Sequence, residues 1–422
     1  MTSEASAATR HGTTVSRWEL VALLWLAFFF NQADRQIFGV TLPLIRTEFG
    51  LTSTQMGFIA TTFTVVFGLL VPVAGLAGDI FRRHYIVVCS LLTFSIGTLL
   101  TGTASGFVML LIYRGLATGV GEALYAPAAN SLIAEHHVAS RSRALATHQT
   151  ANYTGVVVGS LFAGWVADNH GWRAAFYLFG ACGLAWSMII ALRTRHYPSA
   201  VHTPRSAGLE MRLVRESVRE IIHSPQLLAQ VVGFSGLVFV LVGYLTWMPS
   251  ILAEKFQLSL ASAGFQSVVW HHVLGYLGLL LTGVASDRLA PRYPSSRLLA
   301  MGLALTLCAP WIYLSATLAS TFGVYCALGA FGFFRGVYDA NLFAAIFDCV
   351  ENRLRSTITG LVVACAYTAG AVAPVMMGIL ADHYGTQAGL QALAMVALIA
   401  GAVFLGIILS ASRPFTPIAE RR

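Results

Sequence analysis

The sequence predicts an all-α polytopic membrane protein, with twelve transmembrane helices arranged as two pseudo-symmetric six-helix bundles. Three observations carry that prediction. The 422 residues are 56% hydrophobic and only 10% charged, with a mean hydropathy of +0.71, which excludes an ordinary soluble globular chain. Apolar runs near the roughly 20 residues needed to cross a bilayer occur at 18–44, 54–76, 86–103, 107–133, 145–167, 174–192, 227–252, 263–285, 298–318, 321–347, 357–380 and 388–409. Strings of the first half recur in the second at offsets of 208 to 214 residues.

The recurrence divides the chain. Gly75-Leu-Ala-Gly-Asp79, followed by Arg82 and Arg83, returns as Gly283-Val-Ala-Ser-Asp287, followed by Arg292. Ala129-Asn130 matches Ala340-Asn341; Arg141-Ser142, Tyr153-Thr154 and Ala167-Asp168 match Arg355-Ser356, Tyr367-Thr368 and Ala381-Asp382. The expected plan is a tail over 1–17, a six-helix bundle over 18–192, a linker over 193–226, a second bundle over 227–411 and a tail over 412–422. Duplicated halves of this kind enclose a substrate site at their interface, near mid-membrane. The linker carries Arg193, Arg195, Arg205, Arg212, Arg215 and Arg219 and a helical stretch near 209–222, suited to the anionic inner leaflet.

A net charge of +8 could point to nucleic acid, but the basic residues follow the loops. With the N-terminus cytoplasmic, 20 of the 26 Lys and Arg fall on the inside, 3 outside and 3 within spans, so both termini are expected in the cytoplasm. The balance is topology, and no nucleic-acid surface is read from it. The six cysteines are scattered singly and read as small core residues, and neither metal nor cofactor is expected. The first span, long and charged, reads as a retained helix rather than a cleavable signal.

Charges inside the spans are the candidates for function, because one at mid-membrane costs roughly 2.5 to 3.5 kcal/mol on insertion scales. The fourth span holds Arg114 and Glu122, about 12 Å apart along the axis and turned about 80° around it. The first holds Asp34 and Arg35, which point about 100° apart and so cannot simply pair with each other. Asp34 and Glu122 fall near one depth; a structural ion pair of Asp34 with Arg35 or Arg114 is the alternative to a functional role. Arginine stays charged and its fork fits a carboxylate or phosphate, whereas desolvation favours the neutral form of a carboxylic acid. Asp34 and Glu122 are therefore candidate proton carriers, and Arg35 and Arg114 candidate anion receptors.

Further cavity candidates are His148, Asn152 and Tyr153 in the fifth span, Tyr244 and Trp247 in the seventh, Arg335, Tyr338 and Asn341 in the tenth, and Tyr367 in the eleventh. Each polar one either bonds another helix or lines water. Trp270, His271, His272 and Tyr276 in the eighth span read either as cavity groups or as interfacial anchors. Arg335 has a local partner one turn on in Asp339. The loop groups Gly75, Asp79, Arg82, Arg83, Asp287 and Arg292 are read as conformational gating residues. In the fifth span Gly155-x-x-x-Gly159 reads as close helix packing.

The six-plus-six plan with its repeated loop string resembles the major facilitator superfamily over essentially the whole chain. Asn31-x-x-Asp34-Arg35, Arg114, Gly119-Val-Gly-Glu122-Ala and Arg335-Gly-x-Tyr-Asp-Ala-Asn341 are similar to its Spinster-like and anion:cation (sugar-acid) symporter branches. Two departures stand out: Asp79 is followed by Ile-Phe rather than Arg-x-Gly, and the fifth span lacks the Gly-Pro turn of drug:proton antiporters. The resemblance implies an alternating-access transporter in a bacterial inner membrane, working as one chain among lipids. The expected activity is proton-coupled symport of a small organic anion such as a sugar acid; a lysolipid or sphingoid-type substrate is the alternative. A drug exporter or a transporter-shaped sensor fits less well, and no HExxH, His-carboxylate box or nucleophile elbow suggests an enzyme.

Overall fold

The computed structural model describes residues 16–137, 140–195, 207–351 and 353–410. The expected tails up to residue 15 and from 411, residues 196–206 of the linker, and the burial and contacts of Gly75 and Asp79 lie outside what is described. Thirteen helices follow: α1 (Arg17–Phe49), α2 (Ser53–Ile80), α3 (Arg83–Gly102), α4 (Phe107–His136), α5 (Arg141–His170), α6 (Trp172–Thr194), α7 (Ala207–His223), α8 (Pro225–Phe256), α9 (Leu260–Leu289), α10 (Ser296–Thr317), α11 (Thr321–Cys349), α12 (Arg355–Tyr384) and α13 (Thr386–Ser410). All but α7 run the length of the bundle; α1–α6 form one six-helix group and α8–α13 the other.

Nine of the described helices are long and apolar enough to cross a membrane. Of the other four, α7 is the 17-residue linker helix, and α1, α5 and α11 have ample length at 33, 30 and 29 residues. These three are less apolar because they carry Asp34 and Arg35, His148 and Asn152, and Arg335 and Asp339. By contrast, α4 holds Arg114 and Glu122 and is still apolar enough to span along its length.

Local chemistry sets the ends. Ser16 with Glu19, and Thr52 with Gln55, close capping boxes on α1 and α2. Gly171 and Gly385, 214 residues apart, turn the chain from α5 into α6 and from α12 into α13 with φ of 82° and 85°, where a side chain would strain the backbone. The predicted Gly155/Gly159 packing is present: a Cβ on Gly159 would lie 2.6 Å from the Ala33 Cα of α1.

The duplication is visible in how the groups meet. At the end away from the termini, Asp168 of α5 accepts hydrogen bonds from Leu260 N and Ala261 N, both 2.9 Å, at the start of α9. Asp382, its partner in the repeat, accepts from Ser53 N and Thr54 N, both 2.8 Å, at the start of α2. Each carboxylate sits on exposed N–H groups and the positive end of a helix dipole across the interface. Arg46 to Glu254 at 3.5 Å and Ser250 Oγ to Gly39 O at 3.2 Å join the same end. At the terminal end the ion pairs among the described residues stay within a group or involve α7. Arg83 pairs with Glu135, Arg297 with Asp287 at 2.8 Å and Asp348 at 3.4 Å, and Arg353 with Glu216 of α7.

Candidate functional site

Close packing of α5 on α1 fixes which face of α1 meets α4, and the four membrane charges meet there. The Asp34 carboxylate is buried, accepting from Arg114 at 2.7 Å on one oxygen and from Thr98 Oγ1 at 2.5 Å on the other. Arg35, one residue on, faces elsewhere, and its Nε donates to Glu122. The pairs therefore join α1 to α4 twice, and Arg114 also donates to the Arg35 carbonyl at 3.3 Å. Asp34 does pair with Arg114, one of the two partners its sequence position allowed.

The pairs differ in exposure. Asp34, Arg114 and Glu122 are buried, while the Arg35 side chain is 21% exposed. Among the described residues the terminal nitrogens of Arg35 have no partner, its only bond being through Nε. Its guanidinium lies 4.3 Å from the centre of the Phe67 ring, a cation–π distance. Arg114 is 5.1 Å from the Phe63 ring. Behind Arg35, Glu122 keeps Oε1 without a hydrogen-bond partner.

Arg114 sits in a stretch of α4 that is not α-helical. Leu111–Ala117 forms a π turn, with the Thr118 hydroxyl bonded to Tyr113 O at 2.9 Å. Such turns concentrate at functional sites because the extra residue reorients a side chain without breaking the helix.

A cavity of about 110 Å³ lies between the two groups in front of these charges, with walls from α1, α2, α4, α8 and α12. Arg35 and Arg114 line it; Asp34 and Glu122 do not. A ligand in this cavity faces guanidinium groups, with the compensating carboxylates one layer back.

Of the other candidates only Tyr367 joins the wall, its ring 5.3 Å from Phe67. His148 lies inside the first group, stacked 4.8 Å from Phe28 and bonded to the Tyr125 hydroxyl at 3.1 Å. Asn152 is half-buried on α5, outside the cavity wall. Tyr153 reaches across to the rings of His272 and Tyr276, at 6.1 and 6.2 Å. Tyr244 donates to Ser267 O, Trp247 to Pro374 O at 3.1 Å, and both are buried in the second group. Arg335 pairs with Asp339 at 3.0 Å, Tyr338 is fully buried, and Asn341 bonds its own helix at Val337 O.

Of the α9 group, Trp270 is exposed, while His271 and His272 are buried, which does not fit an interfacial anchor. Among gating candidates Asp287 pairs with Arg297 rather than Arg292, and Arg82 and Arg292 are exposed. Sequence reasoning missed Gln36, Phe38, Phe63, Phe67 and Thr98. Phe63 and Phe67 are one helical turn apart, a spacing that could have flagged a stacking face. No group of three or more metal-ligating side chains gathers among the described residues.

Comparison with known proteins gives the same architecture. The hexuronate transporter of Bacillus subtilis (strain 168) is 24% identical over 384 residues, 88% of this chain and 89% of that protein. The cis,cis-muconate transport protein of Acinetobacter baylyi (strain ATCC 33305 / BD413 / ADP1) is 28% identical over 412 residues, 92% of this chain and 93% of that one. The crystal structure of a bacterial homologue of the human lysosomal transporter Spinster, inward-facing and unoccupied, superposes with a TM-score of 0.82 over 94% of this chain and 98% of that one, at 20% identity. The Major Facilitator Superfamily model matches residues 24–374. Twelve long helices in two matched groups, with paired charges at a cavity between them, thus have a family: the chain belongs to the Major Facilitator Superfamily and is a membrane transporter, not an enzyme.

Proposed function

We propose that the protein carries a small organic anion, a carboxylate, together with a proton by alternating access. The observation that supports this best is Arg35: Nε is tied to buried Glu122 while the terminal nitrogens are left for a ligand in the cavity. A guanidinium edge presents parallel N–H donors that fit a carboxylate bidentately. The relatives named for hexuronate and cis,cis-muconate, both organic acids, favour the same class. The compact cavity favours a small anion over the amphipathic lipid of the Spinster-like alternative.

Charge balance supplies the coupling. With Asp34 and Glu122 ionised, the two carboxylates neutralise Arg35 and Arg114, and the empty site can cross the membrane barrier without net charge. A monoanion on Arg35 adds one negative charge, which a proton on Glu122 cancels. Empty and doubly loaded sites are then both neutral, while a site holding only one of the two must move a net charge through low dielectric. Coupling is a preference for the two neutral species. Glu122 suits the carrier role because it shares Arg35 with the ligand and has an unbonded oxygen; Asp34, held by Arg114 and Thr98, suits a fixed counterion.

The loop charges favour cytoplasmic termini in a bacterial inner membrane, with one chain as the transporting unit and lipid around it. In that orientation the end joined by Asp168 and Asp382 is the outside, and the two groups are held together there. The test is internal pH in proteoliposomes under an inward anion gradient. Acidification by a carboxylate in the wild type, lost in Glu122→Gln while exchange of labelled anion persists, is expected. Equal acidification by the variant would sink the role of Glu122.

A further inference from the structure

The cavity walls narrow the anion itself. Resting on the reading that a carboxylate binds Arg35, we propose that the substrate is a single-headed acid with a flat, apolar body, conjugated or aromatic, and not a polyhydroxylated one.

Charge recognition is concentrated at one place, on Arg35 and Arg114. Away from them the neutral polar groups are few. Thr64 and Thr246 line the cavity, but their hydroxyls donate to the carbonyls of Ala60 and Val242 one turn back, at 2.9 and 2.7 Å. Among the described residues that leaves the Gln36 amide and the Tyr367 hydroxyl as the neutral donors not already engaged. A sugar acid would bring a hydroxyl on nearly every carbon, and each one stripped of water without a partner weakens binding. The walls offer those hydroxyls aromatic and aliphatic carbon instead, from Phe38, Ala60, Phe67, Val242 and Leu245.

The same walls suit a planar apolar body. Phe63 and Phe67 stand nearly parallel, 6.3 Å apart, and Tyr367 closes on Phe67 from the opposite group with its ring tilted by 53°. Rings in that range gain from offset or edge contact with a further π system. The volume, about 110 Å³, is of the order of the engineered cavity of roughly 150 Å³ that takes up benzene. Because Tyr367 comes from α12 and Phe67 from α2, a flat body between them touches both halves of the transporter at once.

The test uses the full-length protein in proteoliposomes with benzoate, glucuronate and benzamide as probes, each competing against labelled benzoate in counterflow. Benzoate is expected to compete at least about tenfold better than glucuronate, because a site without partners for hydroxyls discriminates against them. Benzamide, which has the ring without the charge, is expected not to compete. Phe67→Leu keeps an apolar wall but removes the ring; losing the ring face against Arg35 touches both acids, whereas losing the stacking surface touches benzoate alone, so benzoate is expected to weaken several-fold more than glucuronate. Glucuronate competing as well as benzoate, with benzamide inactive, would overturn the flat-body proposal and leave the anion reading standing. Benzamide competing as well as benzoate would overturn the anion reading and this proposal with it. The panel on the wild type decides the matter even if Phe67→Leu does not fold.

Discussion

The two interfaces between the halves begin alike and end differently. Where α5 meets α9, Asp168 holds the start of α9 and Tyr153 reaches the His272 and Tyr276 rings. Where α12 meets α2, Asp382 holds the start of α2 and Tyr367 reaches the Phe67 ring. These residues correspond through the duplication, 214 apart in both cases. Yet the second interface borders the cavity with its interhelical Arg35–Glu122 and Arg114–Asp34 pairs. Arg335, by contrast, pairs within its own helix, with Asp339. An intrahelical pair is local. An interhelical pair reports on, and resists, any change in how two helices sit. Symmetry was kept in the closure and given up in the charges, so one interface only closes while the other also borders the charged cavity.

Three experiments sharpen or break that contrast, in order of expected size. Arg35→Gln removes the free fork and leaves Glu122 without its cation; truncating one member of a buried charged contact costs roughly 2 to 5 kcal/mol. Anion uptake per unit KM is expected to fall at least about thirtyfold, whereas Arg335→Gln should cost less than about fivefold, as for partly exposed pairs within a helix. Equal losses in reconstituted uptake would end the asymmetry.

Next come Asp168→Asn and Asp382→Asn. A neutral amide still offers an oxygen but loses the charge at the helix start, so each should move the population toward an open far end by about three- to fivefold. The two shifts should match and combine in the double variant, read as distances between spin labels on the two halves. A shift from only one would show that the closure, too, has lost its symmetry.

The smallest effect is expected at α7, which packs on α8 and α12 and is tied to the second half by Arg353. The Arg353 hydrogen bonds hold the exposed Glu216 carboxyl below its usual range. A lowered folded-state value means the tie is fully present above the ordinary carboxylate range, about pH 4.3. It is lost as pH falls through the lower, folded value. A nitroxide at Val218→Cys in a cysteine-depleted chain should stay ordered from neutral pH down to that range and loosen below it. With Glu216→Gln it should be loose throughout.

What could be read from residues alone follows the cost of the membrane. Asp34, Arg35, Arg114 and Glu122 stand out because charge in lipid is expensive, and the same cost left them few ways to be arranged. Their pairing was hidden, since the face that α1 turns toward α4 depends on Gly155 and Gly159 meeting α1 at close range. His148 looked like a cavity residue because a polar side chain in a span either lines water or bonds a neighbour, and only packing distinguishes them. Here the neighbour is Tyr125. The phenylalanines went unremarked for the opposite reason: in a chain so rich in aromatics, Phe63 and Phe67 look like lipid-facing bulk until Arg35 is seen against them.

The π turn over Leu111–Ala117 also bears on how this protein can change length. Removing one residue from a regular span rotates everything beyond it by about 100° and slides it by about 1.5 Å, which breaks every contact on one side of the cut. A π turn, closed by i→i+5 bonds, already stores a surplus residue. Loss of one residue within it leaves an ordinary α-helix, with Phe107–Leu110 and Glu122 still in register with their neighbours. Among the described spans, α4 is thus the one in which a single-codon deletion can be absorbed without unseating the helix, and the side chain repositioned by such an event is Arg114, at the cavity wall.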